Sequence, residues 1–257
     1  MVKGGVLRVD NLTAKIKDKI VLKDISFKLD VGQNILLMGP NASGKTSLVQ
    51  VILGNPNFKI INGRIYFEER DITDLSLEER VKLGISASFQ FPPKLRGIKL
   101  RRLVEKILRK RGVSDIEGEV TRLAKLLRLD NLIDRDFNIG FSGGEMRRAE
   151  LMLLLAQNPK LVLLDEIDSG VDVENIAVIG RALNEFLSNS GRASLIVSHT
   201  GFIARYIKFD RACVMVDGRI VCWTKPEVVL KTVLEYGFDK CITCKGGGLW
   251  REILRNI

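Results

Sequence analysis

One glycine-rich segment constrains what this chain can fold into more than any other feature. It lies between a short apolar run at residues 34–38 and a segment in which apolar residues recur at helical spacing. A strand, a glycine loop and a helix in this order direct backbone N–H groups at phosphate oxygens, and the helix N-terminus adds positive charge. The segment therefore predicts a nucleoside triphosphate site, and the alternative is a plain turn. It fits the pattern G-x-x-x-x-G-K-[ST] and consists of Gly39, Pro40, Asn41, Ala42, Ser43, Gly44, Lys45, Thr46 and Ser47.

Two pairs of side chains are predicted to carry the chemistry at this site. In the glycine loop, Lys45 can reach the β and γ phosphates, and the Thr46 hydroxyl can bind Mg²⁺. Further along, the apolar run 161–164 predicts a buried strand that ends in two carboxylates, Asp165 and Glu166. Asp165 can hold Mg²⁺, and Glu166 can polarise a water molecule that attacks the phosphate.

The composition is that of an ordinary globular protein. Of the 257 residues, 46% are hydrophobic and 28% are charged, which suits one large α/β domain or a core with a subdomain. No apolar run reaches the length of a membrane span, and the N-terminus lacks the apolar core of a signal peptide, so a cytoplasmic protein is expected. The four cysteines are then expected to be thiols. A labile metal or redox pair at Cys241 and Cys244 is the alternative, although a four-thiolate site needs a second such pair.

Positive charge is concentrated in one segment. The formal net charge is +10, and residues 94–111 contain nine basic residues against one acidic residue. Apolar residues recur at helical spacing within this segment, which predicts an amphipathic helix with one basic face. That face is either solvated or docks on an acidic partner, and nucleic acid is the less favoured partner.

The remaining pattern divides the chain into a core, an insertion and a tail. Residues 5–30 alternate like antiparallel strands at a sheet edge, and the continuous apolar runs 161–164 and 194–197 are typical of buried parallel strands. Helical periodicity dominates roughly residues 94–136, which lie between the glycine loop and these two runs. We therefore predict an α/β core of residues 1–91 and 137–240, a helical subdomain of residues 92–136 closed by the helix from 142, and a tail of residues 241–257.

Two further segments have the chemistry of ligand sites. Ser142 and Glu145 form the pattern of a capping box around Gly143 and Gly144 at the start of a predicted helix. The cap alone accounts for these residues, but the glycines also expose amides to an anion, either the same nucleotide bound to another subunit or a different ligand. His199 is the only histidine, and it follows a predicted parallel strand at the edge where α/β sheets bind ligands.

Together these elements resemble the ATP-binding-cassette (ABC) ATPases. The glycine loop, the signature Ser142–Glu145, the carboxylates Asp165 and Glu166, and the switch His199 occur in the order of that family. The resemblance also identifies Gln90 as the glutamine loop and residues 168–172 as the D-loop. It implies an α/β ABC ATPase fold, with a mixed sheet around the phosphate-loop core, an antiparallel β edge and an inserted α-helical subdomain.

The resemblance further implies how the sites are assembled. Two copies are expected to pair head to tail when ATP is bound and to hydrolyse ATP to ADP and phosphate with Mg²⁺ as the metal. Gln90 is expected to serve both catalysis and Mg²⁺ binding. Each composite site would join Lys45, Thr46, Gln90, Asp165, Glu166 and His199 of one copy to Ser142, Gly144 and Asp172 of the other.

Two positions depart from the family pattern. Ala42 stands where glycine is usual in the phosphate loop, and its methyl group is tolerated if φ is negative. Ile16 occupies the position at which related ATPases stack an aromatic side chain on adenine. We therefore expect Ile16 to contact the base and to bind it weakly.

Some short phrases resemble one branch of the family more narrowly. Residues 140–145 and 165–170 are similar to the ATPase subunit of the SUF iron–sulfur cluster assembly machinery. This implies that hydrolysis drives conformational change in SufB- and SufD-like scaffold proteins. The alternative is the ATP-binding subunit of a membrane ABC transporter, because the same motifs serve both. A non-catalytic nucleotide sensor is disfavoured by the presence of Glu166 and His199.

Overall fold

The computed structural model describes residues 5–88, 93–188, 191–238 and 240. Its strands are β1 (Gly5–Ile16), β2 (Lys19–Asp30), β3 (Asn34–Met38), β4 (Phe58–Phe67), β5 (Arg70–Asp71), β6 (Ile85–Ala87), β7 (Leu161–Asp165), β8 (Ala193–Val197), β9 (Arg211–Val216) and β10 (Arg219–Thr224). Its helices are α1 (Lys45–Leu53), α2 (Leu77–Leu83), α3 (Leu100–Lys110), α4 (Ile116–Leu126), α5 (Gly143–Gln157), α6 (Val173–Ser188) and α7 (Pro226–Tyr236), with a 3₁₀ turn at Phe202–Arg205. None of the helices in these ranges is long and apolar enough to cross a membrane.

Two sheets organise the fold. Strands β2, β1, β4 and β5 form an antiparallel sheet in that order. The second sheet has the order β10-β9-β3-β8-β7-β6, and it is parallel except for the antiparallel pair β9–β10. Strands β3, β7 and β8 read as continuous apolar runs because both faces of this sheet are covered. The mixed α/β architecture with an antiparallel edge is the one predicted from the sequence.

Separate hydrophobic clusters cover the two faces of the second sheet. On one face, Leu37 packs in a cluster with Val49 of α1 and with residues of the antiparallel sheet. On the other face, Leu36 packs in a cluster that includes Val104 of α3 and Leu183 of α6. The carboxyl ends of β3, β7 and β8 consequently share one edge, which is where open α/β sheets bind ligands.

The segment predicted to be helical contains α3 and α4. Leu100 and Val104 of α3 are buried, and α3 packs against α4 and α5, as its amphipathic pattern requires. On the other side of α3, Arg101 forms ion pairs with Glu117 at 2.8 Å and with Asp134 at 2.7 Å. These pairs connect α3 to α4 and to the loop after it, while the bounds of a separate subdomain stay a prediction.

A buried arginine holds the far end of helix α1. Arg80 is 2% exposed, and its Nη1 donates hydrogen bonds to the carbonyls of Val51 at 2.9 Å and Ile52 at 2.8 Å. Burial lowers the pKa of Arg80 to about 10, and the nearby Asp74 and Asp71 oppose that shift. The guanidinium therefore stays charged at neutral pH and satisfies the last carbonyls of the helix that carries Lys45.

Candidate nucleotide site

The glycine loop joins the end of β3 to the start of α1, as predicted. Gly39 has a φ of 154°, and a Cβ on it would lie 2.2 Å from the Met215 carbonyl oxygen, so only glycine fits there. Gly44 precedes α1 with a φ of 104°, and the helix has no side-chain N-cap. The first amides of α1 are therefore available to an anion, which the positive end of the helix dipole also favours.

The Lys45 side chain is folded back over the glycine loop. It is 4% exposed, and its Nζ donates hydrogen bonds to the carbonyls of Gly39 at 2.9 Å and Pro40 at 2.8 Å. Burial lowers the pKa of Lys45, whereas the carboxylates of Glu166 and Asp165 raise it. Two loop carbonyls thus hold the ammonium group at the place where phosphate oxygens would compete for it.

Ala42 does not meet the condition of a negative φ under which its methyl group was expected to be tolerated. Its φ is 61°, in the left-handed region, where Cβ approaches the following carbonyl oxygen at a cost of roughly 1–2 kcal/mol for an L-residue. The residue is exposed, so its methyl group meets solvent and not the packed core. The loop therefore accepts an alanine sterically while it holds backbone strain at this position.

Strand β7 delivers the two predicted carboxylates beside the glycine loop. The Asp165 N–H donates to the Ser88 Oγ at 3.0 Å, and the Glu166 N–H donates to the Val197 carbonyl at 3.1 Å. Both Asp165 carboxylate oxygens are buried and have no partner at full hydrogen-bond geometry within the described part of the chain, while the Thr46 hydroxyl lies close enough to interact with the carboxylate. Burial raises the pKa of Asp165, and the neighbouring Thr46 hydroxyl offsets part of that rise. Glu166 has a φ of 53°, a backbone conformation that clusters at functional sites.

The residues on either side of His199 are held by the buried carboxylate of Asp168. The sequence alone assigned no separate role to this carboxylate. Asp168 accepts hydrogen bonds from the Ser198 Oγ at 2.6 Å and from the Thr200 Oγ1 at 3.0 Å. The Ser198 Oγ in turn accepts the Gly201 N–H at 2.7 Å. The D-loop and the loop after β8 are therefore tied together, with His199 between the two hydroxyl residues.

A pocket of about 520 Å³ lies over the glycine loop. Its lining brings Glu166 together with residues of the β1–β2 hairpin and the β9–β10 hairpin. The sequence did not predict these two hairpins as part of the site, because no sequence signal links them to the glycine loop. Ile16 is not among the lining residues; it ends β1 and pairs with Lys19 across the hairpin. Its contact with a base stays a prediction. The lining consists of Lys19, Ile20, Val21, Lys23, Asn41, Ala42, Ser43, Gly44, Lys45, Thr46, Ser47, Glu166, Asp217 and Gly218.

The signature segment begins α5, and its predicted capping box is confirmed. The Ser142 Oγ accepts the Glu145 N–H at 3.3 Å, and the Glu145 carboxylate accepts the Ser142 N–H at 2.7 Å, which lowers the pKa of Glu145. A Cβ on Gly144 would lie 2.3 Å from the Asn175 Nδ2. Asn175 donates to the Asp172 carboxylate through its backbone N–H at 2.9 Å and its Nδ2 at 2.6 Å. Signature and D-loop therefore pack together, and neither lines the pocket over the glycine loop.

Three predicted residues lie outside the described residues, namely Gln90, Cys241 and Cys244. The other two cysteines, Cys213 and Cys222, are buried thiols. Within the described ranges, no three His, Cys, Asp or Glu side chains come together as a metal site.

The chain resembles known proteins over most of its length. The ABC transporter family model matches residues 22–169. A probable ABC transporter ATP-binding protein from Streptococcus pyogenes is 34% identical over 226 residues, which cover 84% of this chain and 88% of that protein. A probable ATP-dependent transporter from Cyanidium caldarium is 34% identical over 231 residues, covering 86% and 91%. Among solved structures, MJ1267, an ATP-binding cassette of an ABC transporter, has a TM-score of 0.77 at 28% identity, covering 95% of this chain and 99% of that one.

The family match includes most of the site described above. Residues 22–169 contain the glycine loop, the signature Ser142–Glu145, and the carboxylates Asp165 and Glu166. The solved cassette extends the likeness to 95% of the chain. The chain is therefore an ATP-binding ATPase that belongs to the ABC transporter family.

Proposed function

We propose that this ATPase binds MgATP between the glycine loop of one chain and the signature segment of a second chain, paired head to tail. The observation that carries the proposal is the Asp165 carboxylate, whose oxygens are both buried without a partner at full hydrogen-bond geometry in the described ranges, and which interacts with the Thr46 hydroxyl and the Lys45 ammonium group. A buried carboxylate without such a partner is costly unless a cation compensates it. Thr46 and Asp165 offer oxygen ligands, as Mg²⁺ prefers, and the ion would neutralise charge on the β and γ phosphates.

Each remaining group has a role that follows from its position. Lys45 would exchange the Gly39 and Pro40 carbonyls for oxygens of the β and γ phosphates. Glu166, which lines the pocket, would orient the attacking water and accept its proton. His199 would hold the γ phosphate from the end of β8, and Gln90 would complete the site.

A second chain would supply the groups that the pocket lacks. In the described ranges, the lining of the pocket contains no signature residue, while the exposed Gly143 begins α5, where the first backbone amides of a helix can bind an anion. Ser142, Gly144 and Asp172 of the second chain would close the site over the γ phosphate. Because a two-fold arrangement is self-complementary, two such sites would form at once.

For the biological role, we propose that the ATPase drives conformational change in an iron–sulfur cluster assembly scaffold of the SUF type. The resemblance of residues 140–145 and 165–170 supports this role, and the basic face of α3 offers a docking surface for an acidic scaffold protein. The second candidate is the ATP-binding subunit of a membrane transporter. It is favoured by the names of the relatives from Streptococcus pyogenes and Cyanidium caldarium, which are both described as transporter proteins.

The substitution Glu166→Gln tests the catalytic part of the proposal. It keeps the size of the side chain but removes the base, so kcat should fall by about 10²- to 10⁴-fold while ATP still binds. An ATP-bound dimer should then accumulate and be visible by light scattering. Glu68→Gln is the matched control, because Glu68 is an exposed carboxylate that pairs with Lys160. Near-normal hydrolysis by the Glu166 variant would remove Glu166 from this role.

The partner decides between the two biological roles. Native purification of the chain with its bound proteins should recover β-rich scaffold proteins without membrane spans if it serves cluster assembly. Recovery of integral membrane proteins in stoichiometric amount would establish the transporter role and overturn the first candidate. Neither result depends on the catalytic assay, so the two parts of the proposal are tested separately.

A further inference from the structure

The ring of His199 has a described neighbour outside the nucleotide site. The centroids of the His199 and Phe238 rings are 6.1 Å apart, and the ring planes meet at 74°, which is an edge-to-face contact. This separation falls within the range of favourable aromatic pairs. Phe238 is half-buried and packs against the hydrophobic cluster beneath α5 and α6. The contact therefore connects the switch histidine to the core and not to solvent.

Hydrogen bonds of the neighbouring residues fix the backbone at His199, but they do not determine the orientation of its side chain. The Ser198 N–H donates to the Leu37 carbonyl at 3.2 Å, and Asp168 holds the hydroxyls of Ser198 and Thr200. Within the described ranges, the imidazole itself forms no hydrogen bond, so these contacts do not choose its rotamer. The edge-to-face contact with Phe238 is the described interaction that restricts the ring.

Phe238 is itself held by helix α7, which packs on the loop that carries His199. After α7, Gly237 adopts a φ of 68°, and its N–H donates to the Val233 carbonyl at 3.0 Å, which turns the chain back at Phe238. A Cβ on Gly201 would lie 2.2 Å from the Leu230 Cδ2. Leu230 of helix α7 therefore packs against the loop after β8, and Phe238 follows this packed helix.

We infer that Phe238 is a positioning residue for ATP hydrolysis, because it sets the orientation of the His199 ring. The inference rests on the proposed contact of His199 with the γ phosphate. Phe238 does not line the pocket over the glycine loop and acts through the histidine alone. A ring that is already oriented loses less rotational freedom on the way from the bound nucleotide to the transition state, so the effect belongs to turnover and not to nucleotide binding.

Steady-state kinetics of the full chain measure this effect. Phe238→Leu keeps an apolar side chain but removes the ring, and kcat should fall by about two- to thirteen-fold with KM for MgATP unchanged. That range is the fold-change for an aromatic pair worth about 0.5–1.5 kcal/mol, at 1.36 kcal/mol per factor of ten. Phe238→Tyr should restore kcat because it restores the ring. Tyr236→Leu is the matched control, since Tyr236 is an exposed aromatic residue at the end of α7.

Nuclear magnetic resonance tests the contact between the two rings directly, whereas kcat, KM and the rescue by Phe238→Tyr separate a positioning role from packing. His199 is the only histidine, so its ring protons give one assignable set of signals. In the unmodified protein these protons should show a nuclear Overhauser effect to the Phe238 ring, and Phe238→Leu should shift them by removing the ring current. Absence of that Overhauser effect would overturn the inference, even if the leucine variant failed to fold.

The outcomes separate this inference from the proposed function. If His199→Ala abolishes hydrolysis but Phe238→Leu has normal kcat, the positioning role is refuted and the role of His199 stands. If Phe238→Leu lowers only the free energy of unfolding, Phe238 is a packing residue and the inference is also refuted. If His199→Ala hydrolyses ATP normally, the proposed role of His199 fails and the inference fails with it.

Discussion

Replacing Ala42 with glycine tests whether the phosphate loop of this ATPase stores backbone strain. The φ of 61° at Ala42 costs an L-residue roughly 1–2 kcal/mol. Glycine adopts this angle freely, but it gives the unfolded chain more conformational freedom, at a cost of about 0.4–1 kcal/mol. Because Ala42 is exposed, loss of its methyl group opens no cavity. The free energy of unfolding should therefore rise by roughly 0–1.6 kcal/mol in Ala42→Gly.

A second alanine provides a control with the opposite sign. Ala177 lies inside helix α6 and is half-buried, where glycine costs about 1 kcal/mol relative to alanine. Ala177→Gly should therefore lower the free energy of unfolding by at least about that amount. Urea denaturation of the nucleotide-free variants measures both changes, and thermal unfolding should show Tm shifts of about 2–4 °C per kcal/mol for a chain of this size.

The sign of the change in the free energy of unfolding on Ala42→Gly decides whether the backbone at Ala42 is strained. If Ala42→Gly destabilises the protein as much as Ala177→Gly does, Ala42 is not held in the left-handed region and the argument from strain is refuted. The comparison is sharp because both variants lose one methyl group and gain the same flexibility in the unfolded chain. They differ in the backbone conformation that the folded protein demands and in the burial of the methyl group, which is exposed at Ala42 and half-buried at Ala177.

Two further predictions concern the nucleotide base and the basic face of α3. Ile16→Tyr should tighten MgATP binding by about ten-fold, since stacking on a base is worth roughly 1–3 kcal/mol; calorimetry with MgATP and MgGTP checks this, and strong ATP selectivity in the unmodified chain would assign the base to another residue. Changing Arg102 and Lys106 to Glu should leave stability and ATP binding unchanged, because both are exposed and form no ion pair within the described ranges. Association with the partner protein should become much slower at low salt, while Arg101 stays unchanged because its ion pairs hold α3 to α4. Association rates that ignore both the substitutions and the ionic strength would contradict a docking role for this face.

The sequence by itself determined the parts of this protein that depend on residues close together in the chain. The glycine loop, the strand that ends at Asp165 and the capping box of Ser142 and Glu145 lie where their local patterns predicted. Each is a short-range arrangement, in which a few neighbouring residues decide the backbone conformation and the direction of its N–H groups. The fold class followed from the same elements, because apolar periodicity distinguishes buried parallel strands from amphipathic helices.

Only the tertiary structure decided how distant segments meet. Asp168 serves the loop of His199 through hydroxyls that lie 30 residues away or more, and Gly144 must be glycine because Asn175 packs against it. Such contacts join residues that no short pattern connects, since close packing in three dimensions and not spacing along the chain chooses the neighbours.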